Sequence, residues 1–209
     1  MVVRQPPLHS VWWTLPLAFG LWFVTFAVPA GNFWLKLCAS AAILAGVGLK
    51  LSWKERGTLF AFKPRHLWVG VSSALVLYGI FWTGKQVSAL IFPFAPQEIS
   101  NIYVNKVQLD PLVIGVLLFF VMGPAEEIYW HGFVQRRLGL RLGSVRGVLL
   151  TTVIYAVVHI SAFNFMLVVA AGVCGLFWGL LYQKEKSLIP VILSHSLWDV
   201  IIFILFPLN

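Results

Sequence analysis

The stretch Gly123-Pro124-Ala125-Glu126-Glu127-Ile128-Tyr129-Trp130-His131-Gly132 follows directly on the apolar run from Leu112 to Met122. Two adjacent carboxylates and an imidazole therefore lie in a segment that is otherwise suited to the interior of a membrane. A charge at the centre of a bilayer costs roughly 2.5 to 3.5 kcal/mol even on the more permissive insertion scales. Ionisable residues kept there at such a cost usually serve a function, so this stretch is the first candidate for a functional site.

The composition indicates an integral membrane protein. Of the 209 residues, 60% are hydrophobic and only 11% are charged, a balance that a soluble domain does not have. The net charge of +8 is also found in nucleic-acid-binding proteins, but the basic residues lie in loops between apolar runs, which excludes nucleic acid as a partner. Cys38 and Cys174 lie in apolar runs without a second ligand at metal-binding spacing, so we predict that they are packing residues.

Seven apolar runs come close to the approximately 20 residues that cross about 30 Å of hydrocarbon. We therefore predict an all-α, polytopic bundle of about seven transmembrane helices, which forms one integral membrane domain over residues 1–209. The segment Gly84–Asp110 is too long and too apolar for a plain loop, yet Pro93 and Pro96 interrupt it, so we expect an interfacial or re-entrant piece. The predicted spans are Val11–Val28, Phe33–Leu51, Leu67–Thr83, Pro111–Val134, Gly147–Ala162, Phe165–Tyr182 and Leu188–Phe206.

The basic residues predict the orientation of these spans. Lysine and arginine gather before the first span and after the second, fourth and sixth, so every second loop is basic. Of the 15 basic residues, only Lys36, Lys85 and Lys106 lie elsewhere. Because cytoplasmic loops carry an excess of lysine and arginine, we predict a cytoplasmic N-terminus and an external C-terminus. The basic residues of the predicted cytoplasmic side are Arg4, Lys50, Lys54, Arg56, Lys63, Arg65, Arg136, Arg137, Arg141, Arg146, Lys184 and Lys186.

Six ionisable residues lie well inside the predicted spans, on three different helices, whereas Lys36 lies near the end of its span and can reach the interface. Counted at 1.5 Å per residue from the nearest basic boundary, four of them reach depths of roughly 13 to 20 Å, near the middle of the membrane, namely Glu126, His159, His195 and Asp199. Charged groups in a bilayer almost always face the bundle interior or a water-filled cavity. We therefore expect one shared polar site. The six residues are Glu126, Glu127, His131, His159, His195 and Asp199.

The spacing within each helix supports a shared site. A carboxylate four residues from a histidine lies on the same helical face and can orient the imidazole ring and fix its tautomer. Glu126 and Glu127 are neighbours and point about 100° apart on an α-helix, so only one of them can aim directly at a common centre. We expect the other to support it. Three pairs have the four-residue spacing: Glu127 with His131, Tyr155 with His159, and His195 with Asp199.

These residues resemble the motifs of a known family. Glu126-Glu127 with His131, then Tyr155-x-x-x-His159, then His195-x-x-x-Asp199 are similar to EExxxR, FxxxH and HxxxN or HxxxD of the CAAX protease and bacteriocin-processing family. Its members are glutamate-type intramembrane endopeptidases related to the Ras-converting CAAX endopeptidase. The resemblance covers the helices within residues 111–206. Two positions depart from it, since His131 stands where the family usually has arginine and Tyr155 where it usually has phenylalanine.

The resemblance implies a role for each residue. It implies hydrolysis of a peptide bond by water activated at Glu126 with His159, while His195 and Asp199 bind or polarise the scissile carbonyl and Glu127, His131 and Tyr155 support them. Because the side chain of Asp199 donates a hydrogen bond only when protonated, we assign it mainly to orienting His195. Zinc held by Glu126, His159 and His195 is the alternative mechanism. No HExxH sequence is present, and we favour a reaction without a cofactor or metal.

A transporter is the strongest alternative function, because buried carboxylates and histidines also form proton relays and ion sites. The chain has no paired interrupted helices and fewer spans than the usual inverted-repeat transporters, which favours the protease. Peptides or the C-terminal tails of membrane-anchored or exported proteins are the substrates that the resemblance implies. We expect the lipid bilayer as the other partner and the inner, cytoplasmic membrane of a prokaryote as the location.

Overall fold

A computed structural model describes residues 8–208, and every regular element in that range is helical. The prediction of an all-α membrane protein is confirmed. Arg4, which contributes to the predicted orientation, lies outside the described residues. The principal helices are α1 (His9–Phe26), α2 (Phe33–Ser52), α3 (Arg65–Ile91), α4 (Ala95–Ile102), α5 (Pro111–Leu142), α6 (Ser144–Val158), α7 (Phe165–Glu185) and α8 (Ile189–Leu205).

Five helices in the described range are long and apolar enough to cross a membrane, namely α2 with its extension to Leu59, α3, α5, α6 with its extension to Ala162, and α7. Helix α8 is apolar but shorter, and α1 has 18 residues with Pro16 inside it. That α1 and α8 also cross the membrane, as the predicted total of seven spans requires, stays a prediction. In the fold, both helices pack against the others, α1 on α2 and α8 on α3 and α5.

The predicted third span was too short, because α3 continues through Gly84 and ends at Ile91, two residues before Pro93. A proline lacks the backbone N–H that a helix needs and disfavours helical conformation in the residue before it, which explains this end. Only the later part of the Gly84–Asp110 segment is a separate piece. It consists of α4 and a 3₁₀ turn at Val104–Gln108.

This later part, which we call the capping segment (residues 95–108), covers one end of the bundle. The Glu98 carboxylate accepts a hydrogen bond from the Met166 backbone N–H at 2.9 Å, at the start of α7. The Trp34 indole at the start of α2 donates to the Asn105 carbonyl at 2.9 Å. The Tyr103 hydroxyl donates to a carbonyl of α8 at 3.2 Å. The capping segment thus fastens the ends of α2, α7 and α8 together.

The opposite end of the bundle collects the basic loops. Glu55, after α2, lies 2.5 Å from Arg136 and 3.3 Å from Arg137 of α5. Arg65 at the start of α3 forms an ion pair of 2.7 Å with Glu185 at the end of α7. These contacts bring the basic segments after the predicted second, fourth and sixth spans to the same end of the molecule, as the orientation prediction requires.

Helices α5 and α8 approach each other closely beside the glutamate pair. Gly123 of α5 lies against Ser196 of α8, where an added Cβ would be 2.9 Å from the Ser196 backbone nitrogen. Both helices also contain π-helical segments, at Leu118–Met122 and Ile128–Gln135 in α5 and at Ile201–Leu205 in α8. Such segments shift the direction of the side chains that follow them and are frequent at functional sites. In α5 the two π-helical segments flank the glutamate pair, and in α8 the π-helical segment begins two residues after Asp199.

Candidate active site

The structure brings all seven predicted site residues into one region of the bundle interior. They come from α5, from the C-terminal end of α6 and from α8. Each is buried, with between 1% and 7% of its surface exposed. The expected convergence is therefore present in the fold, for Glu126, Glu127, His131, Tyr155, His159, His195 and Asp199.

A cavity of about 540 Å³ lies against this polar cluster. Most of its wall is apolar and comes from α3, α7 and α8, and part of the capping segment also lines it. Glu127 and His131 lie behind the wall and do not line it. A polypeptide entering the cavity would meet the remaining five polar side chains, which are Glu126, Tyr155, His159, His195 and Asp199.

The carboxylate of Glu126 is held by Tyr155. The Tyr155 hydroxyl donates a short hydrogen bond to Oε2 of Glu126. Both residues are buried and line the cavity. Because the bond joins α5 to α6 and uses one carboxylate oxygen, it restricts rotation of the carboxylate. The other oxygen can then accept a proton from a molecule in the cavity.

Glu127 lies between two histidines. Its Oε1 is 2.7 Å from Nδ1 of His195 on α8, whereas its Oε2 is 3.7 Å from Nε2 of His131 on its own helix. The first distance is a hydrogen bond and the second is too long for one. The strongest partner of Glu127 is therefore His195, across the helix interface, and not the residue four positions along the chain.

His131 is held by a neighbour that the sequence reasoning missed. Its Nδ1 lies 2.6 Å from Oε1 of Gln135, and Nε2 of Gln135 donates to the Gly179 carbonyl on α7 at 2.8 Å. Because the Gln135 amide donates through its nitrogen, its oxygen must accept, which places the His131 proton on Nδ1. Gln135 follows His131 by four residues, so helical spacing could have indicated it.

His195 is fixed on three sides. Besides the Glu127 contact, its Nε2 lies 3.5 Å from Oδ2 of Asp199, and its ring stacks on Trp178 of α7 with centroids 3.7 Å apart. We expected Asp199 to be the residue that orients His195, but the shorter contact is with Glu127. Nothing in the sequence pattern indicated Trp178. The imidazole is thus placed between two carboxylates, with the Nε2 edge toward the cavity.

Both ring nitrogens of His159 have partners. Nδ1 lies 2.7 Å from the Tyr155 carbonyl, and Nε2 accepts a hydrogen bond from the Trp22 indole N–H at 3.2 Å. Trp22 belongs to α1, which the sequence analysis treated only as a membrane span. Its contribution could not be found from helical spacing, because the two residues lie 137 positions apart.

The donor set does not fit the zinc alternative. Among residues 8–208, no three side chains of His, Cys, Asp or Glu lie close enough together to hold one metal ion. Nε2 of His159 is directed to Trp22 and Nδ1 of His195 to Glu127. A zinc site requires several ligands whose lone pairs are free and aimed at one point. Glu126, His159 and His195 do not form such a set in this arrangement.

Cys38 and Cys174 are both buried and free. Burial without a disulfide agrees with the packing role predicted for them. Cys174 also contributes to the wall of the cavity.

A family model described as type II CAAX prenyl endopeptidase, Rce1-like, matches residues 108–201. That range contains all seven predicted site residues, and it confirms the family resemblance of the three motifs. No curated protein and no solved structure matched the chain.

Proposed function

We propose that this chain, whose residues 108–201 match the model of type II CAAX prenyl endopeptidases, Rce1-like, hydrolyses a peptide bond inside the membrane with a water molecule activated at Glu126. Family membership supports a protease. The observation that carries the finer proposal is the placement of Glu126 and His195, which come from different helices and face the same largely apolar cavity of about 540 Å³. A desolvated cavity strengthens the electrostatic interactions that the reaction needs.

Glu126 is the proton acceptor of the proposed reaction. With Oε2 bonded to Tyr155, Oε1 takes one proton from a cavity water as the water oxygen attacks the scissile carbonyl carbon. The tetrahedral intermediate then collapses. The C–N bond breaks, and Glu126 returns the proton to the leaving amine, so the carboxylate is restored and no metal or cofactor takes part.

His195 stabilises the oxyanion of this intermediate. For Nε2 to donate, the Glu127–His195 pair must hold two protons, one in the contact of 2.7 Å between Oε1 and Nδ1 and one on Nε2. Oδ2 of Asp199 lies 3.5 Å from Nε2 and is the acceptor toward which we propose that this second proton is directed before substrate arrives. The substrate carbonyl replaces Asp199 as acceptor when it enters. The resemblance implied that His159 helps to activate the water, but both of its ring nitrogens are hydrogen-bonded to other groups, to Tyr155 and Trp22. We therefore propose that His159 borders the cavity beside Tyr155 and positions this part of its wall.

The apolar wall of the cavity favours binding of an extended, hydrophobic segment of a substrate. A C-terminal tail of a membrane-anchored or exported protein fits this chemistry. We propose further that the N-terminus is cytoplasmic, on the basis of the basic loops that meet at one end of the bundle. The inner membrane of a prokaryote stays a prediction from the family resemblance.

The test is cleavage by purified Glu126→Gln in detergent or lipid. Because acid–base groups contribute about 10²- to 10⁴-fold, the variant should lose activity to that extent while it folds and inserts normally. Glu55→Gln is the matched control, since Glu55 lies at the basic end of the bundle, and it should keep its activity. Cleavage by Glu126→Gln at the wild-type rate would contradict the role of Glu126. Gradient-driven ion flux in proteoliposomes without cleavage would favour the transporter.

A further inference from the structure

Helix α1 lies outside the range that matches the family model, yet one of its side chains reaches the candidate site. Trp22 is fully buried, with 0% of its surface exposed. Its indole N–H donates to Nε2 of His159 at 3.2 Å. Trp22 does not line the cavity, whereas His159 does. Nε2 of His159 is therefore directed toward Trp22 and not toward a molecule in the cavity.

The two hydrogen bonds of His159 determine its tautomer. The Tyr155 carbonyl, 2.7 Å from Nδ1, can only accept, so Nδ1 carries a proton. The indole N–H of Trp22 can only donate, so Nε2 carries a lone pair and no proton. His159 is accordingly neutral, with its proton on Nδ1 and its only lone pair occupied by Trp22.

Aromatic packing holds Trp22 in this place. Trp22 contacts Trp130 edge to face at 6.3 Å, Trp130 contacts Tyr155 at 5.2 Å, and Tyr155 contacts His159 at 4.9 Å. The ring centroids of His159 and Trp22 are 6.0 Å apart, so each of the four side chains contacts two of the others. Four aromatic side chains from α1, α5 and the C-terminal end of α6 thus pack as one unit, with edge-to-face contacts of the favourable kind.

We propose that Trp22 is a positioning residue that acts through His159. Its N–H fixes the tautomer and ring orientation of His159 and occupies the Nε2 lone pair, which leaves Glu126 as the one side chain that accepts the proton of the attacking water. This inference rests on the proposed function for its catalytic consequence only. The hydrogen bond itself is independent of any substrate.

The test uses ¹⁵N-histidine NMR of the full chain, which has only five histidines. In the wild type, Nε2 of His159 should give the signal of an unprotonated, hydrogen-bonded nitrogen. In Trp22→Phe the ring remains but the donor is lost, and this signal should move toward that of a free, unprotonated nitrogen, with the signals of His131 and His195 unchanged. Trp13→Phe is the matched control on the same helix, since Trp13 is 79% exposed, and it should leave the His159 signal in place.

Kinetics provide the second readout. Without the Trp22 donor, the His159 ring and the Tyr155 side chain packed on it are held less firmly beside Glu126, and a displacement of about 0.5 Å at Glu126 would lower kcat roughly tenfold. KM should stay unchanged, because Trp22 does not line the cavity. If Trp22→Phe fails to fold, the benzothienyl analogue of tryptophan keeps the shape and replaces only the N–H. An unshifted His159 signal in either variant, or a proton found on Nε2 in the wild type, would overturn the inference. A shifted signal in a protein that cleaves no peptide would instead count against the proposed function alone.

Discussion

Gly123→Ala should damage both the fold and the catalytic geometry, because Gly123 is where α5 and α8 are closest beside the site. The added Cβ would lie 2.9 Å from the Ser196 backbone nitrogen, whereas ordinary contacts begin at 3.4 Å. The Ser196 side-chain oxygen would lie closer still and can rotate away, but the backbone nitrogen cannot, so side-chain rotation alone does not relieve the clash. Helix α8 must move away from α5 by about 0.5 Å, the difference between these two distances.

The displacement acts directly on the proposed catalytic groups. Ser196 follows His195 directly, and Gly123 lies three residues before Glu126 and four before Glu127. Moving the two helices apart at Gly123 therefore moves His195 relative to both glutamates. A misplacement of 1 Å costs about 10²-fold in rate, and half of that distance corresponds to roughly tenfold. Overpacking of this kind also costs about 1–3 kcal/mol of stability.

Gly115→Ala is the matched control, because Gly115 lies on the same helix and faces the same neighbour. Its added Cβ would be 3.7 Å from Ile204 of α8, an ordinary contact. This variant should keep wild-type activity, and its helix should be about as stable or more stable, since alanine is the better helix former. The assay is kcat for cleavage of one membrane peptide together with thermal unfolding in the same detergent. Wild-type values for Gly123→Ala, or equal damage in Gly115→Ala, would refute this reasoning.

Two further predictions follow from the same contacts. His131→Ala removes the donor to Oε1 of Gln135 and leaves this buried acceptor without that partner. The free energy of unfolding, measured by thermal melts, should decrease by about 1–3 kcal/mol. His131→Arg, which restores the residue usual in the resembled family, should keep activity. Because the donor set does not fit a metal, treatment with a chelator strong enough to remove zinc should leave kcat unchanged. Activity that disappears with the chelator and returns with zinc would contradict the proposed mechanism.

The apolar pattern of the sequence was enough to predict most of the helices and the position of the site. Glu126, His159 and His195 interrupt separate apolar runs at similar depth, and the cost of burying such groups in lipid makes their convergence a physical expectation. Their common cavity agrees with it. The end of the third helix was wrong because Gly84 was taken as a boundary. Glycine is more frequent in membrane helices than in soluble ones, and α3 continues past Gly84 to Ile91.

The partners of the site residues were harder to predict, since they depend on how helices rotate against one another. The four-residue spacing pairs Glu127 with His131 on an α-helix, but a π-helical segment begins at Ile128 and the two groups are 3.7 Å apart. The shorter contact of Glu127 crosses to His195. Trp22 was missed for a related reason. When a tryptophan lies inside an apolar run, its sequence position does not show whether it acts as a hydrogen-bond donor or only packs.

The same hydrogen bonds that stabilise the bundle also prepare it for chemistry. A carboxylate buried without a partner would be strongly destabilising, and each glutamate of the pair is matched with a donor from another helix, Glu126 with Tyr155 of α6 and Glu127 with His195 of α8. Separating α5 from either helix would leave a buried carboxylate without its donor. The need to satisfy these groups therefore restricts how Glu126 and His195, which both line the cavity, can move relative to each other. A substrate that enters the bundle meets groups already held in position, and for this reason small packing changes such as Gly123→Ala should appear in kcat.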